Sequence, residues 1–240
     1  MYSIETKGLT KKYKDKTVVS NLNLKIKEGE LFSLLGTNGA GKTTTIKMLS
    51  SLIVPTEGDI IIDNLDMKKN KQKIKEIINI SPQVTSLAPN LTVRENLKFI
   101  AGAYQIKNKE QKIKELVDMF DLSKIMDQKA KTLSGGWQRK LSIAMSLIND
   151  PKILFLDEPT LGLDVISRKE LWKIIESKKG KMTIILTTHY MEEAEHLSDK
   201  IGIIVDGILL DEDTPKALKE KTKTNTLEDA FVKIATGGKI

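Results

Sequence analysis

The chain has 240 residues, of which 40% are hydrophobic; it contains 39 Lys and Arg, 32 Asp and Glu, two His and no Cys. This length supports one large domain, and the lack of cysteine excludes disulfides and thiol chemistry. The net charge is +7, but only Arg94, Arg139 and Arg168 are arginines and the lysines are scattered. Solvated lysines are therefore favoured over a nucleic-acid patch, and no nucleic-acid partner is expected.

Membrane spans and soft metal sites are also excluded. The first residues lack the apolar segment of a secretory signal, and no run approaches the roughly 18 consecutive apolar residues of a membrane span. We therefore expect a soluble, cytoplasmic chain. Because thiol ligands are absent and imidazoles are few, any metal should be a hard ion such as Mg²⁺.

The first part of the chain predicts short strands joined by turns. Residues 3–13, 17–26 and 30–36 carry strand-forming residues, and a Lys-Glu-Gly turn precedes the third run. This pattern favours an antiparallel start. The third run, which is apolar from Leu31 onward, leads into a glycine-rich loop and a predicted helix over 42–53.

The middle of the chain changes from strands to helices. Strands are predicted over 58–64 and 76–81, and residues 92–120 have the pattern of helices. The first helix follows Thr92, with Glu95 three residues later, which is the spacing of a capping box.

After residue 132 the predicted helices and strands alternate. They are a helix within 132–148, a strand over 152–156, a helix over 165–177, a strand over 182–188, a helix over 190–198, a hairpin over 200–212 that turns at Asp206-Gly207 and a helix over 227–235. No low-complexity linker is found, and the polar stretch over 219–226 is the nearest to one. This alternation predicts a parallel, three-layer α/β core. Residues 84–133 are expected to insert into it as a mostly helical subdomain, and 206–240 to form a short C-terminal hairpin and helices.

A glycine-rich loop, "GTNGAGKTT" at 36–44, fits the pattern G-x-x-x-x-G-K-[ST] between a predicted strand and a predicted helix. In such a loop backbone N–H groups surround phosphates, the lysine neutralises β and γ charge, and the hydroxyl after it can ligate Mg²⁺. The predicted nucleotide-binding residues are Gly36, Asn38, Gly39, Ala40, Gly41, Lys42, Thr43 and Thr44.

Two carboxylates follow the strand predicted over 152–156. Parallel strands border a ligand crevice at their carboxyl ends, so Asp157 is placed to hold Mg²⁺. Glu158 is then free to orient and polarise an attacking water. Pro159 is expected to bias the backbone of Glu158 toward an extended conformation.

Several single residues have two interpretations each. His189 ends the strand over 182–188, and either contacts a γ-phosphate or is structural. Gln83 could be a neutral ligand to Mg²⁺ or to the attacking water, or a solvated loop residue. Tyr13 could stack on adenine or anchor the first β-layer. His196, in a polar helix, is assigned no functional role.

A second candidate anion site lies in "TLSGGWQRKLSIAMSLI", residues 132–148. Ser134, Gly135 and Gly136 precede a predicted helix, and the free N–H groups of a helix start bind anions. The chain would then have one phosphate site more than a single ATP requires.

Taken together, these motifs resemble the nucleotide-binding subunit of an ATP-binding cassette (ABC) transporter over nearly the whole chain. Their order is Tyr13, the Walker A loop over 36–44, Gln83, the signature Leu133-Ser134-Gly135-Gly136, the Walker B Asp157 with Glu158, the loop Leu161-Gly162-Leu163-Asp164, and His189. The resemblance implies a P-loop NTPase core with an N-terminal antiparallel β layer and an inserted helical subdomain, in a single domain over 1–240.

In this family two cassettes pair head to tail, and the signature of one covers the ATP held by the Walker A loop of the other. The resemblance thus implies ATP and Mg²⁺ as cofactors, a second cassette, as in a homodimer, and a separate integral membrane permease at the inner face of the cell membrane. It implies that ATP hydrolysis is coupled to transport. The implied catalytic residues are Lys42, Gln83, Glu158 and His189, the metal ligands Thr43, Gln83 and Asp157, and the residues at the shared ATP site Ser134, Gly135, Gly136 and Asp164.

One position departs from the family pattern. Trp137 stands where the signature usually has Gln, and Gln138 follows it. The three residues nearest the phosphate are intact, so the resemblance still implies the covering role. An indole at 137 is expected to pack against the helical subdomain.

The branch of the family is inferred from analogy. The stretch "LTVRENL", the short C-terminal region ending in "LEDAFVKI" and a cassette without a fused permease resemble exporters of the drug, bacteriocin-immunity or polysaccharide type. Two alternatives are a soluble cassette ATPase acting in DNA repair or on ribosomes, and a catalytically dead regulatory cassette. The sequence has neither long coiled-coil insertions nor a second cassette, and its hydrolytic residues are all present.

Overall fold

Residues 1–237 are described by a computed structural model. In chain order the strands are β1 (Tyr2–Tyr13), β2 (Lys16–Leu22), β3 (Lys25–Lys27), β4 (Leu31–Leu35), β5 (Glu57–Ile62), β6 (Leu65–Asp66), β7 (Ile78–Ser81), β8 (Ile153–Asp157), β9 (Thr183–Thr188), β10 (Lys200–Val205) and β11 (Ile208–Asp213). The helices are α1 (Lys42–Leu49), α2 (Lys71–Ile77), α3 (Val93–Ala103), α4 (Lys109–Phe120), α5 (Gly135–Ser146), α6 (Val165–Lys178), α7 (Met191–Leu197), α8 (Pro215–Thr222) and α9 (Leu227–Ala235).

The strands form two sheets. The N-terminal sheet is antiparallel in the order β2-β1-β5-β6, and β3 also pairs with β1. The second sheet has the order β11-β10-β4-β9-β8-β7, and only its β10–β11 pair is antiparallel. The predicted antiparallel first layer and parallel core are confirmed.

The parallel sheet is apolar on both faces, as is typical of a sheet covered on two sides. Along β8, Phe155 packs with α1 and the N-terminal sheet, whereas Leu154 and Leu156 pack on the opposite side with residues of α3 to α7. A third cluster joins α8 and α9 to β10. This layering brings the carboxyl ends of β4, β8 and β9 to one edge, where the candidate site lies.

Two local signals in the sequence predict the structure correctly. Thr92 caps α3 and forms a reciprocal capping box with Glu95. The hairpin of β10 and β11 turns at Asp206 and Gly207, whose φ values are +47° and +80°. Positive φ at both central residues is the geometry of a type I′ turn, which Asp-Gly favours.

Three local predictions are wrong. Residues 76–77 belong to α2 rather than to a strand; Ile74 is the buried residue of this lysine-rich helix, so it shows no apolar periodicity. The predicted strand over 17–26 is two strands, since β2 ends at Leu22 and β3 begins at Lys25. The sequence predicts no helix over the polar stretch 219–226, but α8 extends into it as far as Thr222.

The region predicted to be an inserted helical subdomain, 84–133, contains α3 and α4. The predicted C-terminal region over 206–240 contains β11, α8 and α9, and its residues 238–240 lie outside the described part of the chain. In the part that the structure describes, we find no helix with the length and hydropathy needed to cross a bilayer.

Candidate functional site

The glycine-rich loop connects the end of β4 to the start of α1. Gly41 has a φ of +101°, and a Cβ there would lie 2.7 Å from the Val18 carbonyl oxygen; a Cβ on Gly36 would lie 2.3 Å from that of Ile204. Both positions therefore require glycine. No side chain caps the N-terminus of α1, so its first backbone N–H groups are available to an anion.

Lys42, the first residue of α1, is only 5% exposed. Its Nζ donates to the carbonyl oxygens of Gly36 at 2.8 Å and Thr37 at 3.1 Å, and lies 3.2 Å from Oε1 of Glu158. The loop thus holds its own lysine through two of its backbone carbonyl groups. A bound triphosphate would compete with the Glu158 carboxylate for this ammonium group.

Asp157 ends β8 and is 2% exposed. Its Oδ1 accepts hydrogen bonds from Thr43 Oγ1 at 3.0 Å and Thr187 Oγ1 at 2.6 Å. Within residues 1–237 no Lys, Arg or His forms an ion pair with it. A buried carboxylate beside a hydroxyl is a hard oxygen donor set, so the residues fit Mg²⁺.

Glu158 follows in a left-handed conformation, with a φ of +48°. The expectation that Pro159 would hold it extended is therefore wrong. The cause is its own N–H group, which donates to the hydroxyl of Thr187 at 3.0 Å and to the carbonyl of Thr187 at 3.1 Å. Such strain in a non-glycine residue persists only where the surroundings over-determine it.

The backbone turn at Glu158 directs its carboxylate between the side chains of Lys42 and His189. One oxygen faces Lys42, and the other lies 2.8 Å from Nδ1 of His189, which follows β9. The Glu158 side chain is 5% exposed and that of His189 is 26% exposed. This arrangement holds a general-base candidate and a polar partner at the edge where phosphates would lie.

Arg139 binds the backbone of the segment that carries the Asp157 and Glu158 carboxylates. It is 4% exposed on α5, and it donates to the carbonyl oxygens of Asp157 at 2.6 Å, Pro159 at 2.8 Å and Pro82 at 2.5 Å. Burial lowers the pKa of its guanidinium to about 10. It therefore links α5 to the segment that carries both carboxylates.

We expect Arg139→Met to lower the free energy of unfolding by about 2–3 kcal/mol, because three carbonyl groups would lose a donor. Urea unfolding followed by tryptophan fluorescence measures this change. Arg94→Met is the matched control: Arg94 bonds Asp127 on the surface and is 47% exposed, so its loss should stay within about 0.5 kcal/mol. Equal losses in both variants would contradict this role of Arg139.

The signature residues lie at the start of α5. Ser134 is the N-cap residue, yet its hydroxyl makes no capping hydrogen bond, which leaves it available to a ligand. Ser134, Gly135 and Gly136 line a cleft of about 390 Å³ together with Asp164 and Ser167. No residue of the Walker A loop lines this cleft, so the two candidate phosphate sites are separate within one chain.

Asp164 caps α6 at the edge of this cleft. Its carboxylate accepts hydrogen bonds from the N–H groups of Ile166 at 2.9 Å and Ser167 at 3.0 Å and from Ser167 Oγ at 2.7 Å. The Ser167 hydroxyl bond and the backbone bonds hold the pKa of Asp164 below its ordinary value. Asp164 is thus an ordered, charged residue on the surface.

Within residues 1–237, the side chains of the other residues singled out in the sequence form no hydrogen bond with Lys42, Asp157 or Glu158. Gln83 is exposed in the loop after β7. Tyr13 ends β1 and is 47% exposed, too much for an anchor of the β-layer, and Lys11 Nζ lies 5.0 Å from its ring centroid. Trp137 packs against the cluster that includes α3, α4 and α5, in accordance with the expectation. His196 stacks on Trp172 with ring centroids 4.8 Å apart.

The sequence did not identify Thr187 or Arg139 as part of the site. Thr187 forms hydrogen bonds with both Asp157 and Glu158. In the sequence, nothing distinguishes it from the other residues of its predicted strand. Arg139 carried a usable signal, because it is one of three arginines among 39 basic residues. Buried ion and amide networks favour arginine over lysine.

Known proteins resemble this chain in sequence and in fold. The family model described as ABC transporter matches residues 19–161. "Probable multidrug ABC transporter ATP-binding protein YbhF" of Escherichia coli (strain K12) is 40% identical over 239 residues, which are 96% of this chain and 41% of that protein. Nod factor export ATP-binding protein I of Burkholderia orbicola (strain AU 1054) is 39% identical over 221 residues, which are 90% of this chain and 72% of that protein. The chain thus spans about two fifths of the length of the E. coli relative.

Solved structures are similar over most of the chain. One, of the ATP-binding subunit of an ABC transporter, has a TM-score of 0.87 and 27% identity, covering 96% of this chain and 98% of the other. A second is a dimeric ATP-binding cassette in a post-hydrolysis state bound to ADP and Pi, with a TM-score of 0.81 and 28% identity, covering 88% and 98%. The predicted fold class is confirmed.

Proposed function

The chain belongs to the ABC transporter family as an ATP-binding cassette, and from that premise we propose that two cassettes share each ATP, hydrolyse it and drive a separate membrane permease. The observation that carries the proposal is the convergence of Lys42, Asp157, Glu158 and His189 at one sheet edge. The chain also presents its signature at a different cleft. We include residues 1–240 in one nucleotide-binding domain, with 84–133 as its helical subdomain.

In the proposed site the Walker A loop and Lys42 bind the β and γ phosphates through backbone N–H groups and the ammonium group. Thr43 and Asp157 would hold Mg²⁺, and Gln83 would supply a further ligand. The bound ion supplies charge neutralisation on the phosphate oxygens. Tyr13 offers a ring face for the adenine.

Glu158 acts as the general base. Its two carboxylate oxygens are held by Lys42 and His189. Since phosphates attract Lys42, ATP binding should free one oxygen of Glu158 to accept the proton of the attacking water. His189 holds the other oxygen, and so fixes the direction of the carboxylate.

The second cassette would supply Ser134, Gly135 and Gly136 to the γ-phosphate, with Asp164 at the interface. The free hydroxyl of Ser134 and the positive end of α5 support this role. The similarity to a dimeric cassette supports it as well. ATP then stabilises the closed pair, and its hydrolysis favours separation, which is a population shift.

The transported substrate is proposed to move outward, since the two relatives described above are named for multidrug transport and Nod factor export. The cassette would bind its permease at the inner face of the cell membrane. Neither relative is named for DNA repair or translation, which leaves those alternatives unsupported.

We expect Ser134→Arg to leave ATP binding by the monomer intact and to block ATP-dependent dimerisation, because a long cation would fill the cleft that must receive the γ-phosphate. Fluorescent nucleotide titration and light scattering measure the two properties. Ser177→Arg is the control, since Ser177 is exposed near the end of α6 and does not line that cleft. Normal dimerisation of Ser134→Arg would refute the cross-subunit site.

A further inference from the structure

A buried glutamate on α7 lies outside the set of residues proposed to contact nucleotide, Mg²⁺ or the attacking water. Glu193 is 0% exposed. Its Oε1 accepts hydrogen bonds from Thr160 Oγ1 at 2.8 Å and from Trp172 Nε1 at 3.0 Å. In the part of the chain that the structure describes, Oε2 has no hydrogen-bond partner. Burial raises the pKa of this carboxyl group.

The two donors connect Glu193 to functional segments. Thr160 is 1% exposed and lies two residues after Glu158, in the turn that follows β8. Trp172 lies on α6, the helix that Asp164 caps. Glu193 itself lies on α7, which begins directly after the His189-Tyr190 segment.

Two separate contacts connect the turn that carries Glu158 to the segment that runs from His189 into α7. Glu158 contacts His189 directly, with 2.8 Å between Oε2 and Nδ1. The chain then runs from His189 into α7 and Glu193, which binds back to Thr160 and so to the turn that carries Glu158. The Glu193 contact uses neither carboxylate oxygen of Glu158, so it can persist while nucleotide replaces the partners of that carboxylate.

Packing alone gives no reason for a carboxyl group at this position. Burying a carboxyl group with one oxygen unpartnered costs free energy, and methionine would fill a similar volume without that cost. Glutamate offers instead one acceptor atom that binds two donors from separate elements. The left-handed turn at Glu158 needs such external restraint, which Arg139 supplies at Pro159 and Glu193 at Thr160.

We propose that Glu193 is a positioning residue for ATP hydrolysis, which fixes the turn carrying Glu158 to the helix that follows His189. The inference rests on the proposed function and adds to it a residue that touches neither nucleotide nor water. Through Trp172 the same carboxyl group fixes α6, so it also links the Asp164 loop to the catalytic pair.

Glu193→Met tests this role. It keeps the volume but removes the acceptor, so kcat for ATP should fall by about 10- to 100-fold, as a small misplacement of a catalytic group does. KM for ATP and nucleotide affinity should stay within about twofold, since the Walker A loop is untouched. Glu193→Gln should restore most of kcat, because its amide oxygen can accept from both donors.

Three further variants separate a loss of positioning from a loss of folding. Thr160→Val removes the donor of the hydrogen bond to Glu193, and so should lower kcat to a similar extent. The double variant Thr160→Val with Glu193→Met should lose little more kcat than either single variant. Glu192→Gln is the control, because Glu192 is the preceding residue on α7 and its side chain is 63% exposed. Rates are expressed per folded molecule, from thermal unfolding of each sample.

The outcomes separate the two proposals. Wild-type hydrolysis with a selective loss of kcat in Glu193→Met and Thr160→Val supports the positioning role. Wild-type hydrolysis with unchanged kcat in either variant overturns that role and leaves the proposed function standing. A wild-type dimer that binds ATP without hydrolysing it overturns both. Should Glu193→Met fail to fold, Thr160→Val compared with the Glu192→Gln control decides the question.

Discussion

Lys42→Ala should abolish ATP binding, weakening nucleotide affinity by on the order of 100-fold or more. The ammonium group is buried and lies above the Walker A loop, fixed by two of the carbonyl groups of that loop. A charge-assisted contact to phosphate in such a site contributes several times a surface contact, and every 1.4 kcal/mol is about tenfold in affinity. Titration with a fluorescent ATP analogue measures the loss.

Lys47→Ala is the matched control for this variant. Lys47 lies on the same helix, α1, and its side chain is exposed, so its removal should leave nucleotide affinity unchanged. Thermal unfolding of Lys42→Ala checks that the loop still folds, because the change also removes the ion pair with Glu158. Wild-type affinity in folded Lys42→Ala would eliminate the proposed phosphate-binding role of the loop.

Glu158→Gln should reduce kcat by about 1,000-fold while ATP binding persists, because loss of a general base typically costs about 10²–10⁴-fold. The amide keeps the size of the side chain and the turn at Pro159, but it cannot accept the proton from water. It also removes the negative charge that competes with phosphate for Lys42. We therefore expect an ATP-bound dimer that persists, visible by light scattering with ATP present.

Glu176→Gln serves as its control, since Glu176 lies on the exposed side of α6 and should keep wild-type turnover. Should Glu158→Gln also hydrolyse ATP at the wild-type rate, another group must act as the base. His189 would then be the next residue to test. Among the described side chains, it is the one that contacts Oε2 of Glu158, the carboxylate oxygen that does not face Lys42.

Much of the fold follows from local signals in the sequence. The strand, loop and helix over 30–53 could be predicted because an apolar run, a glycine-rich stretch and a helical pattern follow one another there. Thr92 with Glu95 marked the start of α3. The two sheets followed from strand order and apolar pattern. Helices α2 and α8 did not, because each buries a single side chain, Ile74 and Leu218 respectively.

In the candidate site, the residues could be predicted from the sequence but their detailed geometry could not. Lys42, Asp157, Glu158 and His189 could be predicted because each lies at the end of a strand or the start of a helix, where side chains converge. Their fine geometry could not, since the conformation of Glu158 depends on a hydroxyl from Thr187 on the neighbouring strand. Long-range contacts of this kind leave no periodic pattern in the sequence.

The burial of Glu193 could not be predicted from the sequence either. In the sequence it belongs to the polar run "MEEAEH", where Glu192 and Glu193 are indistinguishable. In the structure one is exposed and paired with Arg168, and the other is buried between α6 and the turn at Thr160. Only the packing of α7 against α6 separates them.

Mixing two inactive variants shows whether each ATP lies between the Walker A loop of one copy and the signature of the other. Lys42→Ala retains an intact signature, and Ser134→Arg retains an intact Walker A loop. The native chain has no cysteine, so a single Ser177→Cys change lets each variant carry its own dye for energy transfer.

If the site is shared, neither variant pairs with itself when ATP is added. The equimolar mixture does pair, because one complete site forms between the two copies. ATP-dependent energy transfer in the mixture alone is the expected result. An absence of transfer in the mixture, or equal transfer in Ser134→Arg by itself, would contradict the shared site.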